Sequence, residues 1–352
     1  MTLPIRVGLV GYGFAGQTFH APVLSAVPGL QLAGVASSQP DKVLADWPEA
    51  AVHPEVDALL AARPDIELVV VATPNEAHFP VAKAALEAGR HVVVDKPFVL
   101  DARQARELAE LARAKGKIIS VYQNRRFDSD FLTLKQVLAE GQVGRPVFFE
   151  SHFDRYRPDV RVRWREQKVP GAGLWVDLGS HLMDQAVQLF GKPDSVQLDL
   201  AALREGAVVE DYFHAVLRWD KGPNAPLRAV LHATTLAADP APRYVLHGTR
   251  GSYVKYGVDP QEDALRTGAR PGGEGWGADA DDGLLTLIGD TGQPAPSSVP
   301  TLAGDYTRYY AAMRDAIAGK GPAPVTPEEA VQLMELLDLG TQSAEQGCAL
   351  PT

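Results

Sequence analysis

The sequence predicts an α/β protein of two domains, the first built on a parallel sheet and the second on a mostly antiparallel one. Apolar strand-like segments alternate with helical ones as far as Val121, which is typical of crossover units and a parallel sheet. Beyond Val121, longer alternating segments follow one another without regular helices, which favours antiparallel pairing. A chain of 352 residues has the length of about two domains. We assign residues 1–122 to the first and residues 123–352 to the second.

The composition, with 45% apolar and 22% charged residues, is that of an ordinary globular protein. The single cysteine, Cys348, excludes a disulfide framework and favours the reducing cytoplasm. The N-terminal residues lack the layout of a signal peptide, and no apolar run approaches the ~18 residues of a membrane span. The formal charge of −10 disfavours nucleic acid as a partner. We therefore expect a cytoplasmic protein that binds neither membranes nor nucleic acids.

The first domain reads as five strands joined by helices. The strands are expected at Ile5–Val10, Leu30–Ala36, 68–72, 91–95 and 118–121. The helices are expected at 14–24, 57–60, 80–87 and Ala102–Lys115. Pro22 should kink or end the first helix, and Gly89 should end the third. Right-handed crossovers then bring the carboxyl ends of the strands to one edge of the sheet.

A glycine loop follows the first strand directly and opens a helix. Its residues are Gly11, Tyr12, Gly13, Phe14, Ala15 and Gly16. Glycines at these spacings allow a tight turn and a close approach of the backbone to a pyrophosphate, while the helix N-terminus offers unpaired N–H groups. The loop therefore predicts a dinucleotide site. The alternative is a purely structural glycine turn.

The end of the second strand predicts the choice of nucleotide. An NAD-specific site usually places Asp or Glu there to hold the ribose 2′-hydroxyl. This chain has Ser37 and Ser38, with Lys42 a few residues on. Hydroxyls and a lysine accept a 2′-phosphate that a carboxylate would repel, so NADP is favoured. NAD stays possible if the serines only start a turn.

The third strand is followed by Thr73, Pro74 and Asn75, which form a turn over the same crevice. Asn75 could hydrogen-bond the ribose next to the nicotinamide, or it could cap the following helix. His78 lies about one turn into that helix, where a structural histidine is the favoured reading over a cofactor contact.

Lys96 closes the buried run that ends in Asp95, and Pro97 follows it. The carboxyl end of a strand in an open parallel sheet is where the ligand crevice lies. A lysine there can direct a cation at a substrate oxygen beside the nicotinamide, so Lys96 is the first catalytic candidate.

The second domain is expected to begin with a helix at 130–140 and to end with helices at 306–318 and 327–343. Strands are expected between them at 147–152, 195–202, Tyr212–Trp219, Leu227–Thr234, 243–248 and 252–256. The stretch 259–300 is rich in Gly, Pro, Asp and Ala and is expected to be a loop, on the surface or, as the alternative, over a functional site. A sheet with helices on one face exposes the other, which predicts a homodimer or homotetramer.

Asp177 and His181 are four residues apart and share one face if the segment is helical. A carboxylate beside an imidazole fixes its tautomer and raises its basicity, so the pair could take the proton from a substrate hydroxyl. The alternative is a surface salt bridge or a capping contact. The nine histidines show no recognised ligand spacing, and we expect no metal site.

Asp95-Lys96-Pro97 and the Asp177…His181 pair, joined to the glycine loop, resemble the Gfo/Idh/MocA oxidoreductase family over essentially the whole chain. The resemblance implies a Rossmann domain and a C-terminal α/β domain with a large, open, mostly antiparallel sheet. It implies catalytic roles for Lys96, Asp177 and His181, and a cis peptide before Pro97. The family's usual glutamate before the lysine is Asp95 here, a conservative departure. Trp164 and Arg165 are expected to touch the cofactor in the manner of the family.

Four further segments, 19–22, 124–131, 150–155 and 251–257, resemble the family's bacterial NADP-dependent scyllo-inositol 2-dehydrogenase subgroup. This resemblance implies hydride transfer between the nicotinamide and a cyclic polyol or sugar hydroxyl, with scyllo-inositol and its 2-keto form as the expected pair. Polyol recognition needs several polar groups. The candidates are Asn124, Arg126, His152, Asp154, Tyr156 and Arg157. The alternatives are a dehydrogenase of another sugar, a nicotinamide-dependent glycosidase of the same fold, and a cofactor-sensing regulator.

Overall fold

The computed structural model describes residues 3–289 and 291–352. The chain divides into two compact units, each made of three separate segments. The first unit gathers the residues up to Asn124 together with Gln261–Trp276 and Asp305–Met334. The second unit holds Arg125–Pro260, Gly277–Gly304 and Glu335–Thr352. Two segments from the C-terminal half therefore pack with the N-terminal domain.

The first unit is built on a parallel sheet of six strands among the described residues, in the order β3-β2-β1-β4-β5-β6. The strands are β1 Ile5–Val10, β2 Leu30–Ala36, β3 Ala51–His53, β4 Leu68–Val71, β5 His91–Val94 and β6 Ile119–Val121. All four residues of β4 are buried, as expected for a parallel sheet covered on both faces. The strand order reverses between β1 and β4, which is where open α/β sheets bind their ligands.

The structure contains a helix at Pro40–Asp46 and the strand β3, which the sequence analysis does not predict, and it moves the start of one predicted helix. A π-helical turn at Gly16–His20 runs into α1 (Ala21–Ser25), and it is followed by α2 Pro40–Asp46, α3 Val56–Ala62, α4 Asn75–Glu87 and α5 Ala102–Lys115. Pro22 does not end the first helical stretch, because it occupies the first turn of α1. The α4 helix begins at Asn75 and not at residue 80, so Pro80 lies inside it. The prediction treated Pro80 as a helix start, whereas the helix accepts it at the loss of one internal hydrogen bond.

The second unit carries a nine-stranded sheet within the part of the chain that is described, in the order β14-β13-β12-β11-β7-β10-β9-β8-β15. Its strands are β7 Pro146–His152, β8 Ser195–Ala201, β9 Tyr212–Trp219, β10 Leu227–Thr234, β11 Tyr244–Gly248, β12 Gly251–Lys255, β13 Gly283–Ile288, β14 Pro294–Val299 and β15 Leu350–Pro351. The β7–β10 pair is parallel and the other neighbours are antiparallel. Burial alternates strictly along β9 and β10, so one face forms the core and the other is partly exposed. The predicted fold class is confirmed.

Two helices of the second unit matter for the site, α6 (Ser129–Glu140) and α7 (Ser180–Phe190). The next two, α8 (Gln261–Arg266) and α9 (Thr307–Ile317), belong to the first unit, and α10 (Pro327–Gln346) precedes the last strand, β15. None of the helices in the described residues is long and apolar enough to cross a membrane.

The prediction of a surface loop at 259–300 was wrong, because this stretch contains α8, β13 and β14. Its glycine and proline content is typical of a loop, although the stretch forms the edge strand β14 and its neighbour β13. Pro294 and Pro296 lie in β14 at the end of the sheet, a position where proline interrupts no central ladder.

Candidate active site

The glycine loop is shaped by close backbone packing at one end and open space in the middle. Gly11 has a φ of +96°, and a Cβ there would lie 2.5 Å from the carbonyl oxygen of Ala72, just beyond β4. A Cβ on Gly16 would collide with the carbonyl oxygen of Gly11. By contrast, a Cβ on Gly13 would meet no described atom within 4 Å. The loop therefore needs Gly11 and Gly16 for its own fold, whereas Gly13 leaves room for a group from outside.

Tyr12 holds this loop against α2. Its hydroxyl donates to Asp46 Oδ2 at 2.8 Å, and Gln17 Nε2 donates to the same oxygen at 2.7 Å. Burial, followed by the hydrogen bond to Asp46, raises the pKa of Tyr12 well above its usual value. Lys42 Nζ lies 3.5 Å from the carbonyl oxygen of Tyr12 and 5.8 Å from its ring. Tyr12 is thus a structural member of the loop, and Lys42 brings a cation beside it.

The two serines after β2 differ in their surroundings. Ser37 accepts a hydrogen bond from the backbone N–H of Gln39 at 3.0 Å, so its hydroxyl helps form the turn. Ser38 is exposed. Ser37 therefore has a structural role in the turn, and Ser38 is the better candidate for binding the nucleotide.

Two cations near this end of the sheet were missed by the sequence reasoning. The guanidinium of Arg266 lies 5.5 Å from the centre of the Phe14 ring, and that of Arg270 lies 5.4 Å from the centre of the Trp47 ring. Both arginines come from Gln261–Trp276, which belongs to the first unit. The only signal was their spacing of four residues in an otherwise acidic stretch, which was read as a surface loop.

The turn after β4 has one unsatisfied polar atom among the described residues. Thr73 Oγ1 is buried and makes no hydrogen bond there. His78 is buried, with Nδ1 2.9 Å from the carbonyl oxygen of Pro97 and Nε2 3.0 Å from that of Thr73. His78 therefore joins the segments that follow β4 and β5, which is the structural role. Asn75 is buried at the first position of α4, and Pro74 occupies the cap position.

Lys96 follows β5 directly, is partly buried, and precedes Pro97 in a cis peptide, as the resemblance implied. Its backbone N–H donates to Asp95 Oδ1 at 2.8 Å, and His20 Nε2 lies 3.6 Å from the same oxygen. Burial alone would raise the pKa of Asp95, but the hydrogen bond and charge of His20, with the charges of His78 and Lys96, lower it. The Asp95 carboxylate is therefore favoured in its ionised form, and the charge of Lys96 contributes to this.

Asp177 and His181 belong to the second unit, where a π-helical turn at Trp175–Gly179 leads into α7. His181 is 3% exposed, and Arg165 Nε lies 3.4 Å from Asp177 Oδ1. The guanidinium of Arg165 also lies 4.6 Å from the centre of the Trp164 ring. The structure thus brings Trp164 and Arg165 to Asp177. Single π-turns inside helices are frequent at functional sites. Another π-helical turn in the described residues, Gly16–His20, begins at the last glycine of the glycine loop.

Glu210 is a half-buried carboxyl that the sequence analysis does not single out. A Cβ on Gly173 would collide with its carboxylate, and its backbone oxygen accepts from Leu174 N–H at 3.0 Å. Burial raises the pKa of Glu210, although hydrogen bonds from its own backbone and that of Trp175 act against the rise. A carboxyl that binds protons readily therefore supports the turn that carries Asp177.

The candidate polyol residues fall into different environments. Arg126 donates from Nε and Nη2 to both oxygens of Asp184 at 2.8 and 2.7 Å in a buried bidentate pair, which ties the turn Asn124–Phe127 to α7. Tyr156 is 60% exposed, and Arg157 forms a backbone hydrogen bond to Thr235. Asn124 is the last residue of the N-terminal segment of the first unit.

His152 lies between two carboxylates, with Nε2 3.1 Å from Glu150 Oε2 and Nδ1 3.6 Å from Asp154 Oδ2. Burial acts to lower the pKa of His152, but the nearby carboxylates of Asp154 and Glu150 outweigh it and raise the pKa.

These observations fit a bound dinucleotide. The open space over Gly13 and the unsatisfied Thr73 hydroxyl lie at the point where the strand order reverses, and Lys42 supplies a cation there.

Two family models match the chain. One is described as the NAD-binding Rossmann fold of the GFO_IDH_MocA oxidoreductase family and matches residues 5–123. The other is described as the C-terminal alpha/beta domain of that family and matches residues 135–351.

Individual relatives match over nearly their whole length. The chain is 53% identical over 346 residues to the uncharacterized oxidoreductase YdgJ of Escherichia coli (strain K12), with 98% of each chain covered. It is 37% identical over 344 residues to the scyllo-inositol 2-dehydrogenase (NADP(+)) IolW of Bacillus subtilis (strain 168), covering 97% of this chain and 94% of that protein. A crystal structure of an oxidoreductase from Bacillus cereus has a TM-score of 0.90 at 32% identity and covers 99% of this chain and 98% of that one.

Proposed function

Because the chain belongs to the Gfo/Idh/MocA oxidoreductase family, we propose that it is an NADP-dependent dehydrogenase of a cyclic polyol or sugar hydroxyl. The first substrate pair to test is scyllo-inositol and its 2-keto form, because a relative of 37% identity has that activity in its name. The observation that carries the proposal is the partly buried Lys96 directly after β5, whose backbone N–H donates to the Asp95 carboxylate. That position is at the ligand-binding edge of the sheet.

The preference for NADP is supported by the cations near the end of β2. No carboxylate follows the strand directly; Ser37 and Ser38 stand there instead, and Lys42 lies beside the glycine loop. Arg266 and Arg270 add two guanidinium groups in the same unit. A 2′-phosphate is stabilised by charge-assisted hydrogen bonds to such groups. NAD is the second nucleotide to assay.

In the proposed mechanism the nicotinamide, when bound, exchanges hydride with the carbinol carbon. Lys96 donates a hydrogen bond to the carbinol oxygen and stabilises the negative charge that develops on it. His181 takes the hydroxyl proton as general base, and it returns that proton in the reverse reaction. Asp177 orients the imidazole, and Arg165 in turn holds Asp177 through the contact at 3.4 Å.

The polyol hydroxyls would be recognised by the polar residues that precede and follow β7. Tyr156 and Arg157 are the candidates on the segment after β7, together with Asn124. Arg126 is better described as a positioning residue, because its guanidinium binds Asp184 on α7 through two hydrogen bonds.

We also propose a homodimer or homotetramer formed through the partly exposed face of the nine-stranded sheet. On that face the half-buried Val216 and Val230 form one cross-strand pair and Val245 and Val254 form another, on either side of β7. An apolar surface of this kind suits a second copy of the chain.

The exposed free thiol of Cys348 fits the reducing cytoplasm, which is the compartment that we propose.

The test is a panel of inositols and aldoses assayed with NADP and NAD, using the wild type and the Lys96→Met variant. We expect turnover of at least one cyclic polyol with NADP preferred. Lys96→Met should lower kcat by about 10²–10³, as for the loss of one donor to a developing oxyanion. The dissociation constant for NADPH should change little.

Lys83→Met is the matched control, because Lys83 forms a surface ion pair with Glu107. It should keep wild-type kinetics. Equal losses of turnover and of NADPH binding in Lys96→Met would remove Lys96 from the chemical step. Absence of turnover with every polyol and both nucleotides would contradict the proposed function.

A further inference from the structure

Three histidines lie in one row across the middle of the nine-stranded sheet. His152 of β7 pairs with His232 of β10, and His232 pairs with His214 of β9. Their neighbours Ser151, Leu231 and Phe213 are buried on the core side. Because side chains alternate along a strand, the three imidazoles stand on the opposite, partly exposed face.

The chain after β7 continues beside β10 and adds a carboxylate to this row. The backbone N–H of Phe153 donates to the carbonyl oxygen of His232 at 2.9 Å, and that of Arg155 donates to Thr234 at 2.9 Å. Asp154 lies two residues after His152 and therefore shares its face. One carboxylate and two imidazoles from two neighbouring segments thus meet.

The distances among these groups are close to those of a tetrahedral metal site. Asp154 Oδ2 lies 3.6 Å from His152 Nδ1, and Asp154 Oδ1 lies 3.5 Å from His232 Nε2. One ligand atom from each of the three residues lies within 4.8 Å of the others. Bonds of about 2.0–2.1 Å to a tetrahedral zinc ion separate neighbouring ligand atoms by about 3.3–3.4 Å. Small side-chain movements would therefore complete the geometry.

The buried polar atoms of the cluster are poorly satisfied by the described residues. The Asp154 side chain is only 5% exposed, and its Oδ1 has no hydrogen-bond partner there. His152 Nδ1, which faces the same carboxylate, also has none. A buried carboxylate oxygen without a donor is destabilising by several kcal/mol in general, so native structures normally provide one or a cation.

Glu150 orients the imidazole of His152 from behind. With its oxygen 3.1 Å from Nε2, it accepts the Nε2–H of the ring. Metal binding requires the neutral ring, and with Nε2–H bound to Glu150 the lone pair of that ring is on Nδ1, directed towards Asp154. Two electron-pair donors that face each other are stabilised by a cation between them. A carboxylate behind a histidine ligand is also the common outer partner in zinc sites.

We propose that His152, Asp154 and His232 form a binding site for a divalent first-row transition ion, with zinc as the favoured metal. Two imidazole nitrogens and one carboxylate oxygen suit such ions, whereas Mg²⁺ and Ca²⁺ prefer oxygen ligands alone. The remaining coordination position is open to water or another ligand. The proposal takes His152 and Asp154 out of the candidate polyol set and does not depend on dehydrogenase activity.

The test uses full-length protein without a histidine tag, stripped with a chelator and then titrated with Zn²⁺ by calorimetry. Co²⁺ titration followed by visible absorption reports the ligand field. Asp154→Asn and His232→Gln each remove one ligand, and Glu150→Gln removes the outer partner. His214→Gln is the matched control, since its ring neighbours that of His232 at 5.7 Å but lies outside the ligand set. Circular dichroism and NADPH binding check that every variant folds.

We expect one ion per chain in the wild type and in His214→Gln. Binding should weaken about 100-fold or more in the two ligand variants, and by about 10–100-fold in Glu150→Gln. The proposal is overturned if the wild type binds neither ion at a stoichiometry near one, if both ligand variants keep wild-type affinity, or if His214→Gln loses as much affinity as His232→Gln. If His152 instead contacted the polyol, its substitution would change KM for the polyol in protein that binds no metal. The two roles are therefore distinguishable.

Discussion

Two alanine substitutions in the glycine loop distinguish an effect on the stability of the protein from an effect on nucleotide binding. A Cβ on Gly11 would lie 2.5 Å from the carbonyl oxygen of Ala72, at a residue whose φ is +96°. A Cβ on Gly13 would have no described atom within 4 Å. Gly11→Ala should therefore damage the folded protein itself, whereas Gly13→Ala should affect only a ligand that passes over the loop.

The expected sizes follow from these surroundings. A left-handed backbone conformation costs an alanine about 1–2 kcal/mol, and displacing a backbone carbonyl adds to it, so Gly11→Ala should lower the free energy of unfolding by about 2–4 kcal/mol. Gly13→Ala should change it by no more than about 0.5 kcal/mol, as at other sites without close neighbours. Its dissociation constant for NADPH should rise at least about tenfold, which corresponds to about 1.4 kcal/mol.

Urea denaturation of the nucleotide-free protein measures stability, and fluorescence titration with NADPH measures affinity. Wild-type NADPH affinity in Gly13→Ala would show that the pyrophosphate does not cross this part of the loop, and the placement of the cofactor would fall. A stability loss in Gly13→Ala as large as that in Gly11→Ala would show that the space around Gly13 is not open in the folded protein.

Three further outcomes are expected. Ser38→Asp should shift the NADP/NAD ratio of kcat/KM towards NAD by about tenfold or more, because the added carboxylate repels a 2′-phosphate; the isosteric Ser38→Asn should not, and an unchanged ratio in Ser38→Asp removes Ser38 as the selector. Burial, with the charge of Lys117, lowers the pKa of His91 from 6.5 to about 4, so its contribution to stability is present above pH 6.5 and is lost as the pH falls towards 4. The free energy of unfolding should therefore fall less steeply over this range in His91→Gln, and parallel pH curves would contradict the assignment. Asp184→Ala should destabilise the protein by about 3–5 kcal/mol in urea denaturation, because it takes the carboxylate from the buried Arg126; combining it with Arg126→Met should recover part of the loss, and strict additivity would argue against the pair.

Much of the fold could be predicted because apolar periodicity marks its elements clearly. The predicted bounds of β9, β10 and α5 agree with the structure at both ends. Each of these has uninterrupted alternation or helical spacing, and α5 also has an Asp101 cap and a Gly116 stop. The start of α4 could not be predicted because proline is typical of a helix start, and the edge strand β14 could not because its proline content is typical of a loop. Tertiary packing allows Pro80 inside a helix and Pro296 at a sheet edge.

The candidate site was predicted best where its residues adjoin a strand end in sequence. The glycine loop, Lys96 and the turn after β4 are of this kind, because a parallel sheet puts successive strand ends at one edge. Groups joined across strands could not be found in the same way. His152 and His232 are brought together only by the parallel pairing of β7 and β10, which sequence spacing does not encode. Arg270 was missed because its segment returns to the first unit from far along the chain.

The first unit has a consequence for how the chain is made. The hydroxyl of Tyr310 lies 2.6 Å from His20 Nδ1, although the two residues are 290 positions apart. Tyr309 and Tyr310 on α9 cover Tyr122 at the end of β6. On the ribosome, the N-terminal segment of this unit emerges first. Its aromatic cluster can form only after Tyr309 and Tyr310 have been synthesised, near the end of the chain. A nascent chain halted before residue 305 would leave Tyr122 and His20 without these partners, and would be open to chaperones and proteases.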